Sequence, residues 1–308
     1  MDNRPRVRDP GPGHRPPTRP PVWLARGVSE HPFARLERLE QAGSTNTVLR
    51  DAAAAEPAAW PHLSAVVARH QTGGRGRAGR GWVTPPGSAL TASVLVRPQV
   101  PAERLPWLTL LTGLAVVRAV RALGAPAADV GLKWPNDVLV PDAGPELPEW
   151  GTARKLGGIL TEVAAPTDRP AAVVGIGLNL TQTDADLPVA SATSLALAGI
   201  PVPTAEELLA AVGTELREVL TRWEAHAGDA RAAGLLAAVA DVCLTLDRPV
   251  RVDLPAGPPL HGLATALDDD GRLLVRDAAG QEHAVVAGDV LHVRTDGPSA
   301  GPTAPPGR

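Results

Sequence analysis

The stretch HQTGGRGRAGRGW, residues 70–82, alternates glycine with arginine and lies between two apolar runs. The runs, 63–68 and 90–96, each have the length and apolar content of a buried strand. Glycine lets a backbone turn sharply and approach a ligand closely, and arginine carries a permanent charge and forked donors that fit carboxylates and phosphates. We therefore predict a loop between two strands that binds an anion, such as a nucleotide phosphate or a carboxylate undergoing activation.

The spacing of this stretch excludes two familiar phosphate-binding loops. The Walker spacing, Gly-x-x-x-x-Gly-Lys-[Ser/Thr], is missing. A dinucleotide-binding fingerprint requires a helix after the loop, whereas a strand is predicted here. On these residues alone, a solvated turn and a nucleic-acid contact stay open as alternatives.

Composition narrows the class of protein. The chain has 308 residues, of which 44% are hydrophobic, and a formal net charge of -3, which fits one or two globular domains with ample core. This charge argues against general nucleic-acid binding. The single cysteine, Cys243, excludes an intramolecular disulfide and suits a reducing compartment, so we expect a cytoplasmic protein. No run approaches the roughly 18 apolar residues of a membrane span.

Lysine and asparagine are scarce, and their positions are informative. Of 30 basic residues only Lys133 and Lys155 are lysines, and three of the four asparagines are Asn46, Asn136 and Asn179. Lysine offers a compact charge on a flexible stem, and asparagine offers a donor and an acceptor without charge. In a chain rich in Ala, Arg, Gly and Pro, these residues are candidates for functional positions at which Arg or Asp could not replace them.

The hydrophobic periodicity predicts helices and strands in alternation, followed by strands alone. Helices are predicted after a cap at Ser44 or Thr45, from Pro106 to Gly124, from Thr204 to Trp223, and over 230–242. Strands are predicted over 130–140 with a kink at Pro135, over 154–163 and over 171–180. Short strands at 250–254, 260–267, 273–276 and 285–293 predict a small barrel or sandwich. Residues 1–31 and 296–308 are predicted to be disordered tails.

Five polar motifs follow one another along the chain: GSTN (43–46), Gln71 with GRGRAGRGW (74–82), KWPND (133–137), KLGGILTE (155–162) and GIGLN (175–179). In this order they resemble the biotin–protein ligases, also called biotin–[acetyl-CoA-carboxylase] ligases. The resemblance implies an α+β fold, with a mixed-sheet catalytic domain of the biotin/lipoate ligase type over 32–245 and an SH3-like C-terminal β-barrel over 246–295. Some members carry an N-terminal winged helix that binds DNA. Too few residues precede Ser44 for such a module, so no DNA binding is expected.

The resemblance also implies a two-step reaction. Biotin and ATP, with Mg²⁺ as activator, form biotinyl-5′-AMP and pyrophosphate. A lysine of a biotin carboxyl carrier domain then attacks the mixed anhydride. No tightly bound prosthetic group is expected. Because the first step brings two anions together, the site needs fixed cations, and the resemblance assigns this catalytic role to Lys155, Arg75 and Arg77.

The same matching assigns two sets of binding residues. Biotin has a polar, uncharged ureido ring that suits neutral donors and acceptors in a mostly apolar pocket, and its assigned residues are Ser44, Thr45, Asn46, Gln71, Arg75, Gly76, Arg77, Lys155 and Gly158. The residues assigned to ATP and the adenylate are Gly74, Arg75, Arg77, Trp82, Lys133, Asn136, Asp137, Lys155 and Asn179. Asp137 is also the candidate Mg²⁺ contact, and Trp134 and Pro135 are expected to be structural. The loop 73–81 is expected to be mobile without ligand and ordered over the adenylate.

Three alternatives remain. A lipoate–protein ligase shares the fold and has a comparable lysine, although KWPND and the complete Arg/Gly loop fit biotin better. A nucleic-acid-binding module would use Arg75, Arg77 and Arg80, and its affinity would fall steeply with salt. A non-catalytic biotin sensor would bind biotin but release no pyrophosphate from ATP.

Overall fold

The computed structural model describes residues 31–126, 129–148, 150–164, 170–286 and 288–292. The chain from Pro32 onward forms one unit. Of the two predicted tails, residues 1–30 and 296–308 lie outside the described residues. None of the described helices is long and apolar enough to cross a membrane.

The first part of the chain folds around a seven-stranded mixed sheet. In chain order its elements are β1 (Arg35–Ala42), α1 (Thr45–Ala55), β2 (Ser64–Gln71), β3 (Gly74–Arg75), β4 (Gly81–Trp82), β5 (Ala89–Val96), α2 (Trp107–Ala122), β6 (Gly131–Lys133), β7 (Asp137–Val140), β8 (Arg154–Val163), β9 (Ala172–Asn179), α3 (Ala205–Glu224) and α4 (Leu235–Ala240). The strand order in the sheet is β1-β2-β5-β9-β8-β7-β6. β1 and β2 are parallel and the other neighbours are antiparallel, which confirms the predicted mixed sheet.

The interior strand β5 is buried on both faces of the sheet. All eight of its residues are buried, which explains why its sequence is a continuous apolar run rather than an alternating one. Successive side chains still point to opposite faces. Val94 belongs to the large core with α2 and α3, whereas Leu95 packs with Leu49 of α1 in a smaller core. The sheet therefore separates two cores of unequal size.

Helix α3 confirms its sequence prediction, whereas the run 230–242 does not. Thr204 Oγ1 accepts a hydrogen bond from the backbone N–H of Glu207, and the Glu207 carboxylate accepts one from the backbone N–H of Thr204. This reciprocal capping fixes the start of the helix. In the later run only α4 is helical, because Gly234 adopts a φ of 68° and the preceding residues form turns.

The second part of the chain is a five-stranded antiparallel sheet, in agreement with the predicted small β-domain. Its strands are β10 (Pro249–Asp253), β11 (Leu260–Leu267), β12 (Leu273–Arg276), β13 (Glu282–Val285) and β14 (Asp289–His292). The run predicted as strand over 285–293 contains the last residue of β13 and all of β14. The sheet order is β13-β12-β11-β10-β14, so the chain must leave one edge after Val285 and reach the opposite edge at Asp289.

Two tryptophans attach the second sheet to the first part. Trp107 Nε1 donates to the carbonyl of Asp269 at 2.8 Å, and Trp134 Nε1 donates to the carbonyl of Gly271 at 3.0 Å. Both acceptors lie in the turn between β11 and β12. Both indoles are buried, so each N–H has the partner that a buried polar group requires. The structural role expected of Trp134 is confirmed.

Candidate active site

A cavity of about 690 Å³ brings the sequence-predicted site residues together. The predicted residues on its wall are Ser44, Thr45, Asn46, Gln71, Arg75, Gly76, Arg77, Trp82, Lys133, Asn136, Asp137, Lys155, Gly158 and Asn179. Gly74 is the exception. It pairs with Trp82 in the β3–β4 ladder, where a side chain would collide with the Trp82 carbonyl, so it shapes the hairpin and does not line the cavity.

The predicted Arg/Gly loop is partly an ordered hairpin. β3 and β4 pair, and the turn between them includes Ala78 at a φ of 52°. Arg77 Nη1 donates to Asn136 Oδ1 at 3.0 Å. Arg75 Nη2 lies 3.1 Å from both Thr47 Oγ1 and Glu162 Oε2. The hairpin therefore extends two cations to two different walls of the cavity.

A chain of mostly neutral groups lines the α1 side of the cavity. Gln71 Oε1 accepts hydrogen bonds from the backbone N–H and the hydroxyl of Thr45, at 2.8 and 3.1 Å. Ser93 Oγ lies 2.6 Å from Asn46 Oδ1, and Asn46 Nδ2 donates to Glu162 Oε2 at 2.7 Å. Ser44 occupies the predicted N-cap position, but its side chain does not cap α1. Fixed neutral donors and acceptors of this kind suit a polar, uncharged ligand group.

A cluster of three charges lies on the opposite strands of the sheet. β6 and β7 form a hairpin in which Lys133 pairs with Asp137, around a cis peptide at Trp134–Pro135. The predicted kink is thus a full turn. Lys155 Nζ lies 2.6 Å from Asp137 Oδ1, and Lys133 Nζ lies 4.0 Å from Asp137 Oδ2. Burial lowers the pKa of Lys133, and the Asp137 carboxylate partly opposes this. Two ammonium groups on one carboxylate leave a net positive charge, which suits an anion.

Trp82 and Asn179 border the cavity next to β9. A Cβ at Gly177 would lie 2.8 Å from the Trp82 ring, so the missing side chain is what lets the indole approach the strand closely. Trp82 Nε1 is buried without a hydrogen-bond partner among the described residues. Asn179 Nδ2 donates to the Thr193 carbonyl, and its Oδ1 accepts from Gln182 Nε2, both at 2.8 Å. Its amide is therefore engaged with the 181–194 loop.

Several cavity residues were not predicted from the sequence. Trp150 comes from the Pro- and Gly-rich turn after β7, and its ring centroid lies 4.9 Å from Lys133 Nζ. Its only sequence signal is the presence of a tryptophan in an otherwise small and polar turn. Arg251 and Asp289 reach the cavity from the second sheet. Arg80 Nη2 pairs with Asp289 Oδ1 at 2.9 Å, and no local pattern connects residues so far apart in sequence.

Comparison with known proteins agrees with this arrangement. Residues 39–179 match the Biotin/lipoate A/B protein ligase family, and residues 245–293 match the biotin protein ligase C-terminal domain. The chain is 39% identical over 266 residues to the biotin–[acetyl-CoA-carboxylase] ligase of Mycobacterium tuberculosis, covering 85% of this chain and 90% of the relative. It is 32% identical to the enzyme of the same name from Paracoccus denitrificans, covering 79% of this chain and 95% of the relative.

Solved structures give the same result. The biotin protein ligase of Aquifex aeolicus, in complex with biotin and ATP, superposes with a TM-score of 0.62 at 25% identity and covers 84% of this chain and 98% of that one. The Leishmania major biotin protein ligase with biotinyl-5-AMP superposes with a TM-score of 0.54 at 28% identity, covering 82% and 99%. Together with the two relatives, which are biotin rather than lipoate ligases, these likenesses establish that the chain belongs to the biotin–protein ligase family.

Proposed function

We propose that this chain activates biotin with ATP to biotinyl-5′-AMP and transfers the biotin to a lysine of a biotin carboxyl carrier domain of the acetyl-CoA carboxylase type. The observation that carries the proposal is the convergence of Lys155, Lys133, Arg75 and Arg77 on one cavity whose other wall is made of neutral donors and acceptors. A cytoplasmic location, where ATP is present and Cys243 stays reduced, is part of the proposal.

In the first step a biotin carboxylate oxygen attacks the α-phosphorus of ATP, and pyrophosphate leaves. Lys155 would lie between the carboxylate and the α-phosphate, held by its 2.6 Å contact with Asp137. Arg75 and Arg77, on the β3–β4 hairpin, would neutralise the remaining negative charge of the carboxylate and the phosphates. Fixed cations stabilise the charge of such a transition state because they need no reorganisation during the reaction. In the second step the carrier amine attacks the acyl carbon of the anhydride, and AMP leaves.

The neutral wall would bind biotin and the opposite strands would bind the nucleotide. Thr45, Asn46 and Gln71 present the hydrogen-bonding groups that a ureido ring requires. Trp82 offers an indole face and a buried N–H without a partner among the described residues, which fits an adenosine. A water-excluding closure of the 73–81 hairpin over the adenylate would protect the anhydride from hydrolysis.

Mg²⁺ would enter with the nucleotide. Asp137 already faces Lys155 and Lys133, and the described residues contain no group of three or more His, Cys, Asp or Glu side chains that could hold a metal ion. Mg²⁺ commonly binds through substrate phosphates with few protein ligands. Bound there, it would neutralise phosphate charge, and Asp137 stays the candidate protein contact for it.

The test is a reaction of the full chain with biotin, α-labelled ATP, Mg²⁺ and a carrier domain. We expect labelled biotinyl-AMP, pyrophosphate release and one biotinylated carrier lysine by mass spectrometry. Lys155→Ala should slow adenylation by about 10²–10³-fold, while Arg69→Ala, on an exposed side chain outside the cavity, should not. Biotin binding without pyrophosphate release would make the protein a sensor, and preferential transfer of lipoate would make it a lipoate ligase.

A further inference from the structure

Glu162 contacts two residues of the cavity wall without belonging to that wall. It is the last residue of the motif 155–162, lies on β8, and has a side chain that is 25% exposed. Its Oε2 accepts hydrogen bonds from Asn46 Nδ2 at 2.7 Å and from Arg75 Nη2 at 3.1 Å. Asn46 and Arg75 line the cavity, whereas Glu162 is not among the described residues that do. Any effect of Glu162 on a ligand must therefore pass through its neighbours.

The contacts of Asn46 decide which way its amide points. Nδ2 donates to the Leu160 carbonyl at 3.2 Å as well as to Glu162. A carbonyl and an ionised carboxylate accept hydrogen bonds and cannot donate them, so the NH₂ of the amide must face both. Its two hydrogens are then used. Asn46 Oδ1 accepts from Ser93 Oγ at 2.6 Å and keeps one lone pair, so Asn46 can offer a ligand only an acceptor.

Gln71, on the same wall, is fixed in the opposite sense. Its Oε1 accepts from the backbone N–H and the hydroxyl of Thr45, at 2.8 and 3.1 Å. A backbone N–H can only donate, so it requires the amide oxygen, and Gln71 Nε2 is left as the group that a ligand can contact. The wall therefore offers an acceptor at Asn46 and donors at Gln71. A ureido group, which has N–H donors beside a carbonyl acceptor, complements this pair.

We propose that Glu162 is a positioning residue for biotin, because it fixes the acceptor that Asn46 presents to the ureido ring. The inference rests on the proposed function. Without the Glu162 oxygen, one hydrogen of Asn46 Nδ2 loses its partner, and Asn46 is only 4% exposed, so water cannot readily replace it. A rotated amide would turn its NH₂ toward the N–H groups of the ureido ring. The ion pair with Arg75 holds the carboxylate in its place.

Two substitutions separate the position of the acceptor from its charge. Glu162→Gln keeps an oxygen at the same reach and removes the charge, whereas Glu162→Asp keeps the charge and withdraws the oxygen by one methylene. Calorimetry with biotin alone measures the Kd of each full-length variant. Glu162→Asp should weaken biotin binding by about tenfold or more, the effect of a buried donor left without its acceptor. Glu162→Gln, whose hydrogen bonds are neutral but intact, should stay within about threefold of wild type.

A double-mutant cycle distinguishes a role through Asn46 from a general loss of structure. In an Asn46→Ala chain the amide is absent, so adding Glu162→Asp should weaken biotin binding by less than about twofold. Steady-state kinetics should show a higher KM for biotin in Glu162→Asp and a smaller change in the KM for ATP. The matched control is Glu40→Asp, on an 88% exposed side chain outside the cavity, which should bind biotin like wild type.

Three outcomes would overturn the proposal. They are a Glu162→Asp chain that binds biotin as tightly as wild type, a Glu162→Gln chain weakened as much as Glu162→Asp, and additive losses in the cycle with Asn46→Ala. If Glu162→Asp does not fold, Glu162→Ala must show the same loss and the same non-additivity for the proposal to stand. Carrier biotinylation by wild type is scored separately, so a chain that binds biotin through Glu162 but modifies no carrier would refute the proposed function and not this role.

Discussion

Asn46 shows how closely one side chain of the site is confined. Its Oδ1 lies 2.6 Å from Ser93 Oγ and its Nδ2 contacts Glu162, while β9 passes beneath it at Gly175. A Cβ at Gly175 would lie 2.5 Å from Asn46 Oδ1. The amide is therefore held in one orientation, in which its donor and its acceptor both have hydrogen-bond partners.

Gly175→Ala should displace Asn46 and weaken biotin binding. We expect the KM for biotin to rise by about tenfold and the free energy of unfolding to fall by about 1–3 kcal/mol, as for other overpacked sites. Steady-state kinetics and urea unfolding measure the two effects. The matched control is Gly43→Ala, where an added Cβ meets nothing within 4 Å. An unchanged KM in Gly175→Ala would show that Asn46 does not bind biotin.

His62 makes the stability of the fold depend on pH in the acid range. Its Nδ1 accepts a hydrogen bond from the backbone N–H of Arg97 at 2.9 Å, and burial lowers its pKa from 6.5, with Glu224 opposing. Because the folded pKa lies below the unfolded one, the folded chain takes up this proton less readily. The contribution of neutral His62 to the free energy of unfolding is therefore complete above pH 6.5. It is lost as the pH falls from there toward the pKa of His62 in the folded chain.

His62→Asn should remove that part of the pH dependence, because an amide oxygen can accept the same hydrogen bond and does not titrate. Urea unfolding over a pH series below about 6.5 measures the slope for wild type and variant. Equal slopes would assign the acid sensitivity to other groups.

The sequence predicted the site residues that lie in the five motifs better than those that reach the cavity from outside them. Lys133 and Lys155 stand out because lysine is rare in this chain. Ser93 lies in the middle of an apolar run, and its hydroxyl acquires a role only when α1 packs across the strand. Trp150 depends on the fold of an irregular turn, which periodicity does not describe.

At the scale of elements, the β3–β4 hairpin is tied to the β6–β7 turn by the contact between Arg77 and Asn136 at 3.0 Å. This is the place where a closing motion over an adenylate would be anchored. The expected mobility of residues 73–81 without ligand stays a prediction.

Arg77→Ala should loosen the hairpin and release biotinyl-AMP into solution faster than wild type, by about tenfold or more, since closure excludes water and retains the intermediate. Rapid filtration of the labelled adenylate measures the release rate. Arg69→Ala removes an exposed arginine paired only loosely with Glu40, at 3.7 Å, and should release the adenylate at the wild-type rate. Retention in Arg77→Ala equal to wild type would mean that the hairpin is not the seal.

Elements with strong local signals were predicted well, and those fixed by distant contacts were not. α2 and α3 have helical periodicity and clear ends. The extent of α4 depends on the positive φ of Gly234, and the split between β13 and β14 depends on which edge of the sheet each strand occupies. Strand order arises from long-range pairing that a single sequence does not encode locally.

At the scale of the whole molecule, the second sheet completes the cavity and is held by two indole hydrogen bonds to one turn. Arg80 and Asp289 also connect the parts, but both side chains are largely exposed, at 60% and 47%. Such a pair contributes less than about 1 kcal/mol. The two indole hydrogen bonds, together with the apolar core that the two parts share, therefore contribute more to the attachment than this ion pair does.

Trp134→Phe should weaken this attachment, because it removes a buried donor and leaves the Gly271 carbonyl without its partner. We expect a loss of about 1–3 kcal/mol in the free energy of unfolding and a lower kcat as the second sheet shifts relative to Lys133. Trp60→Phe, in the smaller core beside α1, is the control and should leave kcat unchanged. A Trp134→Phe enzyme of unaltered kcat would show that catalysis tolerates this loss of attachment.

The position of the tryptophans gives the molecule an intrinsic optical signal. Trp82 and Trp150 line the cavity, whereas the remaining tryptophans of the described chain are buried in the cores: Trp60, Trp107, Trp134 and Trp223. Indole emission responds to solvent and to nearby stacked bases, so occupancy of the cleft should change the cavity signal over a steady background. Fluorescence measured over time, with Trp82→Phe and Trp150→Phe to separate the two signals, then follows the binding and release of ligands in the cavity without an attached dye.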